Sequence, residues 1–203
     1  MIPKESAWGS RSHCSWRGGK DNILSGLHGK PQQGRGYRCP DPLGELAAAE
    51  RSGIELLLVG GGVMVSVFGT RPATRDLDVV VLPPSDPGRV RALAAVVAEE
   101  RGWEEDWLND AAKGFVVGLS SGPVIFSAPG IVVRRPAIEQ LAAMKLCAWR
   151  DDVDVADAKR LLQELDTDYN ETWRRIEPFL QPGRELKAKY AFDDLWENLH
   201  GQP

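Results

Sequence analysis

The stretch from Ile54 to Leu82 constrains the fold of this chain more than any other. It opens with an apolar run, Ile54 to Val59, and continues with three consecutive glycines at positions 60 to 62. Later an Asp-Leu-Asp sequence leads into a second hydrophobic run that ends at Leu82. Short apolar runs bounded by glycine are typical of buried strands. The stretch therefore predicts two core strands joined through a glycine turn and the start of a helix.

Asp76 and Asp78 are the candidate metal ligands. The pattern predicts that their strand begins near Thr74, and residues i and i+2 of a strand point to the same face. The two carboxylates would then lie side by side, with Leu77 directed into the core. Carboxylates this close repel each other unless a cation lies between them. Oxygen ligands of this kind favour Mg²⁺, with Mn²⁺ as the alternative.

Gly60, Gly61 and Gly62 are the candidate phosphate-binding residues. Backbone N–H groups at a helix start attract phosphate, and glycine leaves room for close approach. A dinucleotide fingerprint would need glycine where Val65 stands, and the sequence has no Gly-Lys-Ser/Thr of a Walker loop. A phosphate site facing a two-carboxylate metal site is typical of metal-assisted nucleotidyl transfer. The alternative is a structural glycine turn beside an exposed Asp-x-Asp edge without a metal.

The order of these residues resembles the core of the polymerase-β-type nucleotidyltransferase superfamily. The shared pattern is two glycines, a helix and then Gly-x-Arg-x-x-Thr-x-Asp-x-Asp, which this chain has from Gly69 to Asp78. Within the superfamily, the chain is most similar to small bacterial nucleotidyltransferases related to the AbiEii and MenT toxins. A second stretch supports the resemblance, because a predicted helix with a lysine is followed by an arginine and an Asp-x-x-Asp. The residues of this second stretch are Lys145, Arg150, Asp154 and Asp157.

The resemblance covers about residues 55 to 165 and implies both a fold and a set of roles. The fold is α/β: a polymerase-β-like nucleotidyltransferase core with a mixed sheet and a helical C-terminal cap. The implied catalytic residues are Asp76, Asp78 and Lys145, and the metal ligands are Asp76 and Asp78. The implied nucleotide-binding residues are Gly60, Gly61, Gly62, Arg71, Thr74 and Lys145. Arg150, Asp154 and Asp157 are implied supporting residues, the aspartates holding Lys145 or Arg150 in place; a solvated acidic face is the alternative.

Enzymes of this superfamily usually have a third acid on a strand next to the Asp-x-Asp strand. The sequence predicts strands at Val116 to Leu119 and Val124 to Phe126, and neither contains a carboxylate. Asp106 and Asp110, in the loop before them, are the remaining candidates, and a site with two carboxylates is the alternative. A purely solvated acidic loop over packed apolar residues also fits this segment.

Three functions stay open. The resemblance implies an Mg²⁺-dependent transfer of a nucleoside monophosphate from NTP to an acceptor hydroxyl. A tRNA 3′ end would be the acceptor in a toxin–antitoxin system, with a cognate antitoxin as partner. The runner-up is a small-molecule antibiotic as acceptor. The third is a non-catalytic protein that binds a toxin or antitoxin partner, and the missing third carboxylate favours it.

Composition limits the partners further. The net charge of −4 argues against nucleic-acid binding through overall electrostatics, although a local basic patch is compatible with it. Three cysteines provide no disulfide framework, which suits a reducing compartment. The sequence has no apolar run of the ~18 residues that a membrane helix needs, and its start lacks the apolar core of a signal peptide. We therefore expect a cytoplasmic protein without a membrane partner.

The predicted organisation has three parts. Residues 1–40 are rich in glycine, serine and basic residues and predict a disordered basic tail. Residues 41–135 predict the α/β core, and residues 136–203 a helical region packed on it. The predicted helices after the Asp-x-Asp strand are Gly88 to Arg101, Ala137 to Trp149, Val155 to Leu165, Glu171 to Leu180 and Glu185 to Leu199.

Overall fold

The computed structural model describes residues 40–120 and 122–201, and a mixed sheet of five strands forms its centre. The strands are β1 (Ile54–Leu58), β2 (Leu77–Val81), β3 (Leu108–Asn109), β4 (Val124–Ala128) and β5 (Ile131–Arg134). Their order across the sheet is β3-β2-β1-β5-β4. The β1–β2 and β4–β5 pairs are antiparallel, whereas β1–β5 and β2–β3 are parallel. The predicted α/β class with a mixed sheet is confirmed, and the predicted tail lies outside the described residues apart from Pro40.

Seven α-helices accompany the sheet within the described ranges. They are α1 (Asp41–Ala49), α2 (Gly60–Ser66), α3 (Pro87–Arg101), α4 (Ile138–Ala148), α5 (Asp152–Gln163), α6 (Tyr169–Ile176) and α7 (Glu185–His200). Two 3₁₀ helices, Ala111–Phe115 and Glu177–Phe179, follow β3 and α6. In the part of the chain that the structure describes, no helix has the length and apolar character needed to cross a membrane.

Side-chain caps define where several helices begin. The Asp86 carboxylate accepts a hydrogen bond from the Arg89 N–H at 2.6 Å, and Pro87 occupies the first position of α3. Gly102, with φ of 63°, ends α3 in the left-handed conformation that glycine adopts readily. Asp151 caps α5 in the same way by accepting from the Asp154 N–H at 3.0 Å. This last cap matters for function because it fixes the start of the helix that carries Asp154.

Helix α4 is the central element of the C-terminal half. Every residue from Gln140 to Ala148 is buried, and α4 packs against α5, α6 and α7. One continuous hydrophobic core joins residues of the sheet, such as Leu56, to Leu141 of α4 and Phe192 of α7. The burial of α4 brings its only charged residue in that stretch, Lys145, into the protein interior.

The prediction that the Asp-x-Asp strand begins near Thr74 is wrong by three residues. Strand β2 begins at Leu77, so Asp76 precedes it instead of lying on it. The Thr74 hydroxyl donates to the Asp76 carbonyl at 3.1 Å. This backbone acceptor is therefore bonded to a side chain in this segment. Asp76 and Asp78 nevertheless line the same cleft.

The predicted strand at Val116 to Leu119 is also wrong. This segment is irregular, and the Val117 and Gly118 carbonyls accept hydrogen bonds from the Gln140 side chain at 2.9 and 3.1 Å. A buried glutamine of α4 thus satisfies carbonyls that a neighbouring strand would otherwise have to satisfy. Strand β3 was not predicted, because two residues are too few to show a period.

Candidate active site

A cleft of about 490 Å³ lies between the α2–β2 segment and the α4–α5 turn. Nine of the predicted site residues line it: Gly60, Gly61, Arg71, Thr74, Asp76, Asp78, Lys145, Arg150 and Asp154. Gly62 and Asp157 are buried and do not line it. The rest of the wall is mostly apolar and includes Phe115, Met144 and Val153, which the sequence analysis did not single out. The cleft therefore combines charged side chains from both segments with apolar lining residues.

The two carboxylates on the β2 side carry charge that the protein does not neutralise. Asp76 and Asp78 are both half-buried. Burial raises the pKa of Asp78, and the nearby Asp76 charge raises it further, while Lys145, Arg150 and the Ala112 backbone act in the opposite direction. Within residues 40–120 and 122–201, no lysine or arginine forms an ion pair with either carboxylate. This pair can therefore attract a cationic ligand.

Asp76 and Asp78 fit an Mg²⁺ ion on the condition that other oxygen ligands complete its coordination. In the described ranges, no group of three or more His, Cys, Asp or Glu residues could hold a metal ion. Mg²⁺ is commonly bound by one or two carboxylates, with waters and substrate phosphates as its other ligands. The donor set formed by Asp76 and Asp78 thus fits Mg²⁺ bound together with a phosphate-bearing ligand, and it does not form a complete protein cage.

The candidates for a third acid do not line the cleft. Asp106 lies 3.8 Å from Arg75, and Asp110 lies 3.9 Å from Arg91. These pairs are solvent-exposed, and exposed pairs contribute little to binding or stability. The expected packing beneath this loop is present, since Trp107 is fully buried and its indole N–H donates to the Ala94 carbonyl at 2.9 Å.

Asn109 is a site residue that the sequence analysis missed. Its amide nitrogen donates to Asp76 Oδ2 at 3.0 Å. It lies on β3, the strand next to the Asp-x-Asp strand, where it pairs in register with Asp78. The neighbouring strand therefore supplies an amide where the resemblance would imply a carboxylate. The only sequence signal for Asn109 was that it directly follows two apolar residues, Trp107 and Leu108.

The glycines make room for the side chains of the site. Gly60 has φ of 60°, and a Cβ there would lie 2.7 Å from Asp78 Oδ2. A Cβ at Gly61 would lie 3.0 Å from the Thr74 hydroxyl and 3.2 Å from the Arg71 guanidinium. Charged and polar side chains of the site thus occupy the space beside both glycines.

The surroundings of Gly62, unlike those of Gly60 and Gly61, are apolar. A Cβ there would lie 2.9 Å from Leu58 and 3.2 Å from Leu77, both in the core. Close packing between α2 and the sheet therefore explains why residue 62 is glycine, and its contact with nucleotide stays a prediction. Helix α2 has only seven residues, so its N-terminus alone does not make a phosphate site.

The cations of the cleft belong to a buried network around two aspartates of α5. Lys145 Nζ lies 2.8 Å from Asp154 Oδ1 and 2.8 Å from Asp157 Oδ2. Asp157 also pairs with Arg71, whose Nε donates to Oδ1 at 3.3 Å, and accepts from the Thr70 hydroxyl at 3.2 Å. Asp154 and Asp157 are 2% and 1% exposed. They hold cations in place, as expected of supporting residues, and the solvated acidic face is excluded for both.

The pKa of Asp154 shifts in the opposite direction from that of Asp78. Burial alone would raise it, but hydrogen bonds and charge from Lys145, together with hydrogen bonds from Arg150, lower the pKa below its ordinary value. Arg150 Nε lies 3.1 Å from Asp154, and this contact raises the pKa of the guanidinium. The guanidinium remains largely in solvent at the cleft, so its charge is available to a ligand.

No protein-family model matches this chain, and no curated protein or solved structure matches it significantly.

Proposed function

We propose that the chain is a metal-dependent nucleotidyltransferase that moves a nucleoside monophosphate from an NTP to an acceptor hydroxyl. One observation carries this proposal: a single cleft contains two half-buried carboxylates that pair with no lysine or arginine of the described residues, beside three cations held by other side chains. The carboxylates are Asp76 and Asp78, and the cations are Arg71, Lys145 and Arg150. A triphosphate with its metal ion has the complementary charge distribution. The polymerase-β-like core remains part of this proposal.

The roles follow from the geometry of the cleft. Asp76 and Asp78 would hold Mg²⁺, or alternatively Mn²⁺. The bound ion would supply Lewis-acid stabilisation of charge on the α-phosphate and on the attacking oxygen. Lys145 and Arg71, fixed by Asp157, would orient the phosphates and offset their charge. The acceptor oxygen forms a bond to the α-phosphorus, the bond to the bridging oxygen breaks, pyrophosphate leaves, and the hydroxyl proton passes to solvent.

The acceptor distinguishes two forms of this proposal. The resemblance favours a tRNA 3′ end, with a cognate antitoxin as the regulatory partner. The alternative is an antibiotic, and the volume of about 490 Å³ lies in the range of small-molecule sites. RNA binding releases counterions, so its affinity falls with salt by a log–log slope of roughly −0.7 for each phosphate contacted on a single strand. A small-molecule acceptor gives little salt dependence.

A second candidate function is a non-catalytic member of the same fold that binds a toxin or antitoxin partner. One specific observation favours it: among the described residues, the strand beside Asp78 carries Asn109 instead of an acid. Such a protein would bind metal-nucleotide weakly and transfer nothing.

The test is transfer of label from each of the four α-³²P-labelled NTPs, with Mg²⁺, to total tRNA or to an aminoglycoside and lincosamide panel across a salt series. We expect labelled tRNA whose yield falls with salt and which disappears in Asp78→Asn. Asp110→Asn is the matched control, because Asp110 is an exposed acid that does not line the cleft.

Each other outcome has a definite meaning. Label that appears only on small molecules and is insensitive to salt would replace the tRNA acceptor by an antibiotic. Equal transfer by wild type and Asp78→Asn would reject the assigned site. No label on any acceptor would favour the non-catalytic candidate.

A further inference from the structure

Asn109 contacts Asp76 with one end of its amide and the 3₁₀ helix beside β2 with the other. At one end, Nδ2 donates to Asp76 Oδ2 at 3.0 Å and to the Asp106 carbonyl at 3.3 Å. At the other end, Oδ1 accepts from the Ala111 N–H at 2.9 Å. These three contacts use both N–H groups and one lone pair of the amide.

The contacts also fix the orientation of the amide. A flipped side chain would place its oxygen against the Asp76 carboxylate and the Asp106 carbonyl, and its NH₂ group against the Ala111 N–H. All three contacts would then be repulsive, so only one orientation satisfies the surroundings. Asn109 therefore acts as a donor towards Asp76 and as an acceptor towards the 3₁₀ helix Ala111–Phe115.

The acceptor end reaches the second carboxylate indirectly. The 3₁₀ helix Ala111–Phe115, which begins at the residue that Asn109 contacts, packs against β2, and the Ala112 backbone acts to lower the pKa of Asp78. Asn109 itself pairs in register with Asp78 across β2 and β3. One side chain thus orients Asp76 directly and, through the 3₁₀ helix, the backbone that acts on Asp78.

We propose that Asn109 is a positioning residue for the metal site. It leaves Asp76 one oxygen for a cation and keeps the site at two negative charges. A metal ion therefore binds tightly only when nucleotide phosphates complete its ligand set. This inference rests on the proposed function. The donor bond uses one lone pair of Asp76 Oδ2 and leaves both lone pairs of Oδ1 for a cation. A neutral amide in this place adds no charge, and Mg²⁺ held by two carboxylates needs further oxygen ligands. The free ion therefore binds weakly, and the metal-nucleotide complex binds well.

Two substitutions separate the donor role from a structural role. Asn109→Asp keeps an oxygen for the Ala111 N–H but replaces the donor to Asp76 by a third carboxylate. Asn109→Ala removes both the donor to Asp76 and the acceptor for the Ala111 N–H. Asn198→Ala is the matched control, because Asn198 is exposed and donates to the Asp194 carbonyl far along the sequence from the cleft residues.

The experiment measures Mn²⁺ binding without nucleotide by electron paramagnetic resonance, Mg²⁺–NTP binding by calorimetry, and thermal unfolding with and without Mg²⁺. For Asn109→Asp we expect at least about tenfold tighter Mn²⁺ binding than wild type, since a third charge adds attraction. Its melting temperature should be lower than that of wild type without metal, and should rise more on Mg²⁺ addition. For Asn109→Ala we expect no gain in Mn²⁺ affinity and about 10- to 100-fold weaker Mg²⁺–NTP binding.

A purely structural role would not tighten Mn²⁺ binding in any variant. Unchanged Mn²⁺ affinity in Asn109→Asp, or unchanged Mg²⁺–NTP affinity in Asn109→Ala, would overturn the inference. Absence of Mg²⁺–NTP binding by the wild type would instead reject the proposed function, and the Mn²⁺ comparison would still decide the placement of Asn109.

Discussion

Two pairs of aspartates line or border the same cleft and have opposite surroundings. Asp76 and Asp78, on the β2 side, have no cation partner among the described residues, and burial raises the pKa of Asp78. Asp154 and Asp157, on α5, are almost completely buried and bind Lys145, Arg71 and Arg150. Removing a buried carboxylate from its cation partners destabilises the fold, because it leaves buried charge unpaired, whereas a carboxylate without partners costs stability and attracts a ligand. The two pairs therefore have different predicted roles: Asp154 and Asp157 hold the cations of the cleft, whereas Asp76 and Asp78 would bind the ligand.

The largest effect is expected for Asp157→Ala. The substitution leaves Lys145 and Arg71 without the carboxylate that they share, inside the protein. Removing one partner of a buried ion pair costs about 3–5 kcal/mol. Urea unfolding followed by tryptophan fluorescence should show a loss of this size. Asp152→Ala, an exposed acid of the same helix, should cost less than about 1 kcal/mol; equal losses for both would remove the distinction between the two pairs of aspartates.

A smaller loss of stability, with a larger effect on binding, is expected for Gly60→Ala. The left-handed backbone of Gly60 costs about 1–2 kcal/mol for a residue with a Cβ. The new methyl group would also displace the Asp78 carboxylate, and disturbed ligand positions typically cost 10- to 100-fold in affinity. Calorimetry with Mg²⁺–NTP measures the second effect. Gly53→Ala is the control, because no atom lies within 4 Å of its Cβ position; similar behaviour of the two variants would show that Gly60 is not needed at the site.

The pH dependence of stability should have opposite signs for the two sides. Asp154 has a lowered pKa, so its contribution is present above the ordinary value of 3.8 and is lost as the pH falls through the folded-state pKa. Asp78 has a raised pKa, so the folded state loses stability as the pH rises above 3.8. At pH 7, Asp154→Asn should be less stable than wild type, and Asp78→Asn equally or more stable. Both differences should shrink towards pH 2 in urea titrations; a destabilised Asp78→Asn at pH 7 would contradict this assignment.

The smallest effect is expected for Arg150→Ala. The side chain is 71% exposed, and exposed ion pairs contribute less than about 1 kcal/mol. Its charge at the mouth of the cleft should still favour a triphosphate, with an effect of about threefold to tenfold on affinity. Arg174→Ala is the matched control, since Arg174 is 72% exposed and pairs with Glu171 on α6. Equal nucleotide affinities for the two variants in low salt would exclude Arg150 from phosphate binding.

The sequence predicts best what depends on short stretches of chain. The α/β class and most helices follow from hydrophobic periodicity and from caps such as Asp86. The grouping of Asp76, Asp78 and Lys145 in one cleft agrees with the arrangement that their order in the chain implied. The network around Asp157 was expected only in outline, because its partner Arg71 lies far from it in sequence.

The features that sequence analysis missed depend on contacts between distant segments. The glycine positions are explained by the side chains of Asp78, Thr74 and Leu58, which lie 2.7, 3.0 and 2.9 Å from where a Cβ of residues 60, 61 and 62 would be. Asn109 lies on a strand of two residues, and its partner Asp76 is 33 positions away. The Val116 to Leu119 segment has the apolar pattern of a strand, but its carbonyls bind a buried side chain, Gln140, instead of another strand.

The central claim is that Asp76 and Asp78, which have no cation partner among the described residues, form a metal-nucleotide site. Calorimetric titration of the protein with NTP, with and without Mg²⁺, tests this most directly. We predict that NTP binding requires Mg²⁺ and is retained by Asp110→Asn. Asp78→Asn and Asp76→Ala should each abolish binding, in variants whose urea midpoint of unfolding is at or above that of wild type. Binding that is independent of Mg²⁺, or that survives in either cleft variant, would contradict the claim.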